Sequence, residues 1–414
     1  MEIIVIGGGI AGLTLALAIH QAQAASHIRV FEAAPEIHPL GVGINLGPHA
    51  IKELSALGLQ EALCARGCQP QDYAFFTQHG QLVYREPWGM AAGHQWPHLS
   101  IHRAELHNVL LAATHDRIGT ESFLTGQRCV GVEQDDTGAT ARFVGTDGRP
   151  LPSQRAAVVI ACDGIHSTIR AQFYPGEGAP VFRGINLWRG VTKLRPFLTG
   201  RSIARVGARH RTLILYPIRD NVDAAGNQLV NWVGEIEGDT AAPIDWSRPG
   251  RLEDYYPQYK DWTFDWLDVA SMVRNANVVL SYPMVDRDPL PRWTFGRVTL
   301  VGDAAHPMYP QGGNGGAQAI IDAATLARLL KSEADPTAAL AAYEAARRPI
   351  TTKIVLQNRT APPNVIVDEV EKRTGGKRFD KLEDIITQDE MRAIFESYQK
   401  TAGYHVQQVS RSQG

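Results

Sequence analysis

Gly7, Gly9 and Gly12, with Glu32 twenty residues after the last of them, are spaced to do chemistry through the backbone. A glycine at position 7 permits a tight turn. One at 9 lets main-chain N–H groups approach a ligand, and one at 12 lets a helix pack closely on a strand. A helix starting there presents free N–H groups and the positive end of its dipole to a pyrophosphate. Glu32 is placed to accept hydrogen bonds from a ribose, and its charge would repel a 2′-phosphate. The pattern points to NAD or FAD rather than NADP. The elements that must position these residues are legible around them. Ile3 to Ile6 is a short apolar run, as in a buried parallel strand. Leu13 to about Ala24 reads as a helix, and His27 to Phe31 as a second strand ending at Glu32.

Two more apolar strands end in an Asp, at the edge where open α/β sheets bind ligands. Ala157 to Ala161 leads into Cys162-Asp163-Gly164-Ile165-His166-Ser167-Thr168-Ile169-Arg170. Val298 to Val301 leads into Gly302-Asp303-Ala304-Ala305-His306-Pro307. Asp303 can hold a ribityl hydroxyl. Gln311-Gly312-Gly313-Asn314-Gly315-Gly316-Ala317 then feeds a helix expected from about Gln318 to Lys331. Its dipole would stabilise negative charge on the pyrimidine edge of a reduced flavin. An NAD dehydrogenase needs little beyond the first fingerprint, so these distant segments select FAD. Cys162 reads as a core thiol and His306 as a structural residue.

These signatures are similar to those of the single-component FAD-dependent aromatic hydroxylases, the group of para-hydroxybenzoate and salicylate hydroxylases. The chain resembles that family over roughly residues 1 to 355. Further stretches resemble its phenazine-hydroxylating branch: Leu40-Gly41-Val42-Gly43-Ile44-Asn45, Ser100-Ile101-His102-Arg103, Trp188-Arg189-Gly190-Val191-Thr192, Val230-Asn231-Trp232-Val233, and Tyr282 to Pro291. The resemblance implies that Gly7, Gly9, Gly12 and Glu32 hold the ADP half of FAD, and that Arg103 lies near the pyrophosphate and ribityl chain. It implies a backbone contact to adenine near Cys129, and a role for Asp163 and Gly164 toward FAD and the nicotinamide cofactor. Gly43, Asp303, Gly313, Asn314, Gly315, Gly316 and Ala317 would hold the ribityl chain and ring. Pro307 or Pro310 would line the face where oxygen reacts. The implied activity uses NAD(P)H and O2 to hydroxylate an aromatic or heteroaromatic ring through a flavin C4a-hydroperoxide, with loss of a carboxylate in the phenazine type. A salicylate- or urate-type hydroxylase and a non-oxygenating flavin reductase or dehydrogenase are the alternative readings.

Residues from about 181 to 285 change character. Thr212 to Tyr216 and Leu229 to Ile236 alternate with period two, as antiparallel strands do. Aromatic residues gather there, and Trp188, Tyr216 and Trp232 are expected on strands facing the ring. Arg189 is a candidate to pair with a substrate carboxylate. Tyr216 and Arg189 are the candidates for activating the substrate, and Met308 and Tyr309 for contacting it. Asp261 to Val269 fits a helix or helical turn with Trp262 and Trp266 on one face. From Ala361 the chain reads as charged helical segments, expected to cover the flavin domain or a partner subunit in a homodimer.

The expected fold is α/β: a Rossmann-type FAD domain with an inserted mixed or antiparallel sheet and a helical C-terminal tail. The expected boundaries are 1–75, 100–180 and 282–360 for the FAD domain, 76–99 and 181–281 for the substrate sheet, and 361–414 for the tail. Lys and Arg number 41 against 43 Asp and Glu, a net charge of -2, which gives no reason to expect nucleic acid or an anionic membrane. No apolar run of about 18 residues predicts a membrane span. The four cysteines, Cys64, Cys68, Cys129 and Cys162, are too few for a disulfide scaffold and lack His partners at metal spacing. A cytoplasmic enzyme with no metal is the expectation.

Overall fold

The computed structural model describes residues 1–37, 41–360, 365–403 and 405–411. Leu40, in one of the family-like stretches, and Ala361, Pro362 and Pro363 at the head of the tail lie outside the described residues.

The apolar runs form a six-stranded sheet. Its order is Thr294–Phe295, Val298–Leu300, Val158–Ala161, Glu2–Ile6, His27–Phe31, Phe123–Leu124. Every pairing is parallel except that of the edge strand Thr294–Phe295. Ile3 to Ile6 and Val158 to Ala161 are buried in one core shared with Ile10–Ala22 and with the three-stranded sheet Arg128–Gln134, Ala139–Val144, Pro150–Ala156, which is why they read as continuous apolar runs. Ile10–Ala22 and Asn314–Ser332 are the helices that leave the two glycine loops. The second starts at Asn314, earlier than expected. Gly312 (φ 72) and Gly313 (φ 68) take the left-handed turn, so Gly315, Gly316 and Ala317 fall in the first turn of the helix itself.

The middle of the chain builds a seven-stranded sheet. Its order is Val278–Asp286, Val181–Leu194, Gln228–Glu237, Arg211–Arg219, Ser202–Val206, Asp72–Phe76, Leu82–Pro87. It is mixed, since Ser202–Val206 pairs in parallel with Asp72–Phe76 while the other neighbours are antiparallel. The expected boundaries at 75/76 and 281/282 each cut a strand. The sheet is entered at Asp72 and left after Asp286.

One face of this sheet carries Tyr73, Phe75, Leu187, Val191, Ile214, Tyr216, Ile218, Val233, Tyr282 and Met284. The other face carries Ala74, Phe76, Leu213, Leu215, Val230 and Trp232, packed under Tyr255, Tyr259 and Met272. Those lids come from the helices Leu252–Tyr259 and Val269–Arg274. Of the stretch Asp261 to Val269, only Val269 is helical, as the first residue of Val269–Arg274. Thr263–Phe264 and Leu267–Asp268 form a small hairpin, and Asp268 caps the following helix by accepting from Ser271 N–H at 2.8 Å. The alternation Thr-Phe-Asp-Trp-Leu-Asp serves a two-residue turn at Asp265-Trp266 better than a helical stripe.

The tail is helical, with Val365–Thr374 and Gln388–Ala402 as its main segments. It packs on the seven-stranded sheet and on the helix Pro336–Thr360. Ile366, Val367, Val370, Met391 and Phe395 are buried against the Tyr73 face. That end of the face is apolar, and the chain supplies its own cover.

Candidate active site

Gly7 holds φ +103 at the end of the first strand, and a Cβ there would sit 2.4 Å from the Cys162 carbonyl oxygen. A Cβ on Gly12 would lie 1.9 Å from the Gly7 carbonyl oxygen, so helix and loop touch through bare backbone. A Cβ on Gly9 would meet nothing within 4 Å: the loop opens to free space on that side. Gly9 is the N-cap of Ile10–Ala22 and no side chain caps that helix, which leaves its first N–H groups to a ligand. Glu32 is more occupied than expected. One carboxylate oxygen accepts from Gly8 N–H and the other from Ala34 N–H, each at 2.8 Å. The carboxylate thus also shapes the loop, and its remaining lone pairs are the capacity left for a ribose. His107, which sequence reasoning missed, braces the same loop from Nε2 to the Gly8 carbonyl at 2.7 Å.

The second cradle is built the same way. Gly313 caps Asn314–Ser332 without a side-chain bond, and no acidic residue sits in the first turn. A Cβ on Gly302 would lie 3.1 Å from Ala319 Cβ and 3.3 Å from Ala11 Cβ, so both helices converge on the turn that carries Asp303. Asp303 is solvent-exposed yet lies deep among protein atoms, as a group lining a cleft does. Burial pushes its carboxyl up, opposed by His306 and Arg103. Asp303 Oδ1 and Met308 Cγ each come within 3.9 Å of a Cβ built on Gly315, which brings the expected ribityl ligand, one expected substrate contact and the second cradle together.

Asp163 and Arg103 frame the space between. Asp163 Oδ2 accepts from Thr168 N–H at 2.9 Å, while its Oδ1 is buried with no partner among the described residues. Arg103 opens the helix Arg103–Ile118, and its guanidinium makes no ion pair among the described residues. Cys129 is buried in the core on the strand Arg128–Gln134; its backbone leaves the junction where Gln127 N–H bonds to the Glu32 carbonyl. Two uncapped helix ends, a free guanidinium and carboxyls facing a cleft fit a long ligand with a central diphosphate and a polyol arm, which is what FAD is.

The family-like Arg170 and His306 are structural. Arg170 is 1% exposed and donates to the carbonyls of Ala304 and Ala305 and to Glu177, tying the Asp163 turn to the Asp303 turn. His306 Nε2 meets Asp322 Oδ2 at 2.5 Å, and Arg347 Nε donates to Asp322 Oδ1 at 2.7 Å. Asp322 carried no motif in the sequence. A buried acid of this kind shows only once its partners are assembled.

The sheet face over this cleft corrects several expectations. Trp188 and Trp232 do not face it. Trp232 is 0% exposed under Tyr255, with Nε1 donating to Thr192 Oγ1 at 3.1 Å, and Trp188 packs on the same far side. The reason is the two-residue period of a strand: Leu215 pairs with Trp232 and Tyr216 with Asn231, so Trp232 and Tyr216 point to opposite faces. Tyr216 and Arg189 do face the cleft. Arg189 donates to Tyr282 Oη at 3.0 Å and to the Gly43 carbonyl at 2.6 Å, with Tyr216 on the same sheet face. Burial pushes the Tyr216 phenol up against the pull of Arg189. Pro307 is buried, Met308 half-buried, and Tyr309 is 4% exposed with its hydroxyl unpartnered among the described residues. Trp246, one of the aromatic residues that gather in the middle segment, stands edge-on to Tyr282 at 4.9 Å and donates to His166 Nε2 at 3.3 Å, bridging sheet and FAD domain.

Comparison with known proteins matches residues 1–198 and 283–358 to a family described as FAD binding domain. The chain is 44% identical over 364 residues to a phenazine 1,6-dicarboxylic acid hydroxylase of Lysobacter antibioticus, covering 86% of this chain and 89% of that one. It is 32% identical over 367 residues to a 3-amino-4-hydroxybenzoate 2-monooxygenase of Streptomyces platensis, covering 86% and 87%. Among solved structures, Klebsiella pneumoniae HpxO complexed with FAD and uric acid superposes with a TM-score of 0.72 at 24% identity, covering 99% of this chain and 97% of that one, a likeness of fold.

Proposed function

The chain belongs to the single-component FAD-dependent aromatic hydroxylases, and from that premise we propose that its substrate is a planar fused aromatic carboxylate of the phenazine type. The enzyme is an FAD-dependent monooxygenase that uses NAD(P)H and O2. One observation carries the substrate reading. Arg189 lies among aromatic and aliphatic side chains, no carboxylate among the described residues pairs with it, and its Nε is buried without a partner. A charge so placed requires an anion, and a substrate carboxylate supplies one.

Bound FAD would supply the redox chemistry, hydride acceptance from NAD(P)H and transfer of one atom of O2 to the ring. The residues do the rest. The Gly7 to Gly12 turn, Arg103 and Asp303 hold the cofactor's polar length. The uncapped end of Asn314–Ser332 stabilises negative charge at the pyrimidine edge. The face made by Val191, Ile214, Val233 and Met284 keeps water out of the reaction. Arg189, held by Tyr282 and the Gly43 carbonyl, orients the carboxylate. For an oxidative decarboxylation the balance is R–COO⁻ + O2 + NAD(P)H + 2 H⁺ giving R–OH + CO2 + NAD(P)⁺ + H2O. The four cysteines are all free thiols and no helix among the described residues is long and apolar enough to cross a membrane, which supports a cytoplasmic enzyme.

The test offers ¹⁸O2 and NAD(P)H with phenazine-1-carboxylate, phenazine-1,6-dicarboxylate, unsubstituted phenazine and salicylate. Carboxylated phenazines should accelerate NAD(P)H oxidation most and yield product carrying ¹⁸O. Equal turnover of unsubstituted phenazine would overturn the carboxylate reading, and a better response to salicylate would overturn the phenazine one.

A further inference from the structure

The strand Gly43–Leu46 is a shared wall. On one side it meets the second glycine cradle: a Cβ on Gly313 would come within 3.4 Å of Asn45 Cβ, and one on Gly316 within 3.0 Å of Ile44 Cδ1. On the other side it meets the seven-stranded sheet through the two peptide groups that flank a single residue, Gly43. Gly43 N–H donates to Asn231 Oδ1 at 2.7 Å, and the Gly43 carbonyl accepts from Arg189 at 2.6 Å. A Cβ on Gly43 would lie 2.7 Å from Asn231 Cβ and 2.8 Å from Ile218 Cγ2, so only glycine lets the two layers approach this closely. Asn231 is 0% exposed, and its Nδ2 has no partner among the described residues. Its amide is thus oriented by the Gly43 N–H alone. A buried amide left half-satisfied to make one bond marks a place where that bond matters.

We propose that Asn231 is a positioning residue for the hydroxylation: it holds the Gly43 peptide so that the wall between flavin-ring cradle and substrate face stands at a fixed distance. The proposal rests on the monooxygenase reading above, because its consequence is how well cofactor reduction is coupled to ring hydroxylation. A wall that moves leaves the ring misplaced relative to the cofactor, and small misplacements cost large factors in rate. The lost turnover should appear as NAD(P)H + H⁺ + O2 giving NAD(P)⁺ + H2O2. Asn231 touches no part of the Gly7 to Gly12 loop, so affinity for the ADP half should hold.

The experiment compares the FAD-loaded parent with Asn231→Ala and Asn231→Asp, the latter keeping an acceptor for Gly43 N–H. Three readings are taken: the absorption bands and midpoint potential of bound FAD without substrate, the dissociation constant for FAD, and product formed per NAD(P)H with peroxide measured alongside. Asn231→Ala should shift the flavin bands, leave FAD affinity within about twofold and lower product per NAD(P)H by about fivefold, the factor one neutral hydrogen bond supplies. Asn231→Asp should restore both. If Asn231→Ala does not fold, Asn231→Ser, too short to reach Gly43, takes its place. Unshifted bands with parent-like coupling would overturn the proposal, and so would an Asp variant that behaves like the Ala variant. Should the parent hydroxylate none of the aromatic acids offered, the function reading fails separately, and the flavin bands and potential alone decide the role of Asn231.

Discussion

Glu86 carries a carboxyl that titrates near neutrality. Burial pushes it up to about 7 although Tyr84 and Gln399 hydrogen-bond it. In the unfolded chain a glutamate ionises near about pH 4.3. Between there and about 7 the unfolded chain has released a proton that the folded chain keeps, so stability falls as pH rises through this window and stays lower above it. Glu86→Gln removes the titration and keeps a polar group for Gln399. Thermal unfolding should show the variant more stable than the parent at about pH 8 and nearly matched at about pH 4. A variant no more stable at the higher pH would refute the assignment. At this scale the sequence is informative where a residue acts through its own backbone. Gly7, Gly12 and Gly313 do so, and their roles were legible. Asp322 acts through His306 and Arg347, and Glu32 turned inward to Gly8 and Ala34, neither of which spacing could reveal.

Elements were legible in kind and less so in facing. The parallel strands announced themselves by continuous apolar runs, and Thr212 to Tyr216 by alternation. Alternation states that two faces exist; it does not state which one meets the cofactor. Trp188 and Trp232, expected at the substrate, lie on the far face, while Arg189, Tyr216 and Tyr282 lie on the face toward the cleft. Two substitutions separate the faces. Trp232→Phe removes the bond to Thr192 and some packing, at a cost of about 1–3 kcal/mol in stability. The KM for the aromatic substrate should not change. Tyr282→Phe releases one hold on Arg189 and should raise KM for a carboxylated substrate while leaving an uncharged one unaffected. Steady-state kinetics of both variants with both substrates decides; a KM effect from Trp232→Phe alone would reverse the assignment of faces.

The whole molecule depends on contacts between segments far apart in sequence. The tail seals an apolar sheet face, with Phe395 edge-on to Tyr73 at 5.8 Å and to Phe75 at 5.2 Å. Phe395→Ala should cost about 3–5 kcal/mol on the scale of buried aromatic truncations. Denaturant unfolding would measure the loss, and limited proteolysis should release the tail faster than in the parent. A tail that stays equally protected would show that Phe395 does not anchor it. The sequence by itself determined the two glycine cradles, the acids at the strand ends and the class of cofactor, because each is local backbone geometry set by a few neighbouring residues. Only the tertiary structure decided which sheet face closes the cleft, what covers its far end and how Gly43 is held, because those depend on partners as distant as the 188 residues between Gly43 and Asn231. No periodicity within a single segment encodes which distant segment will pack against it.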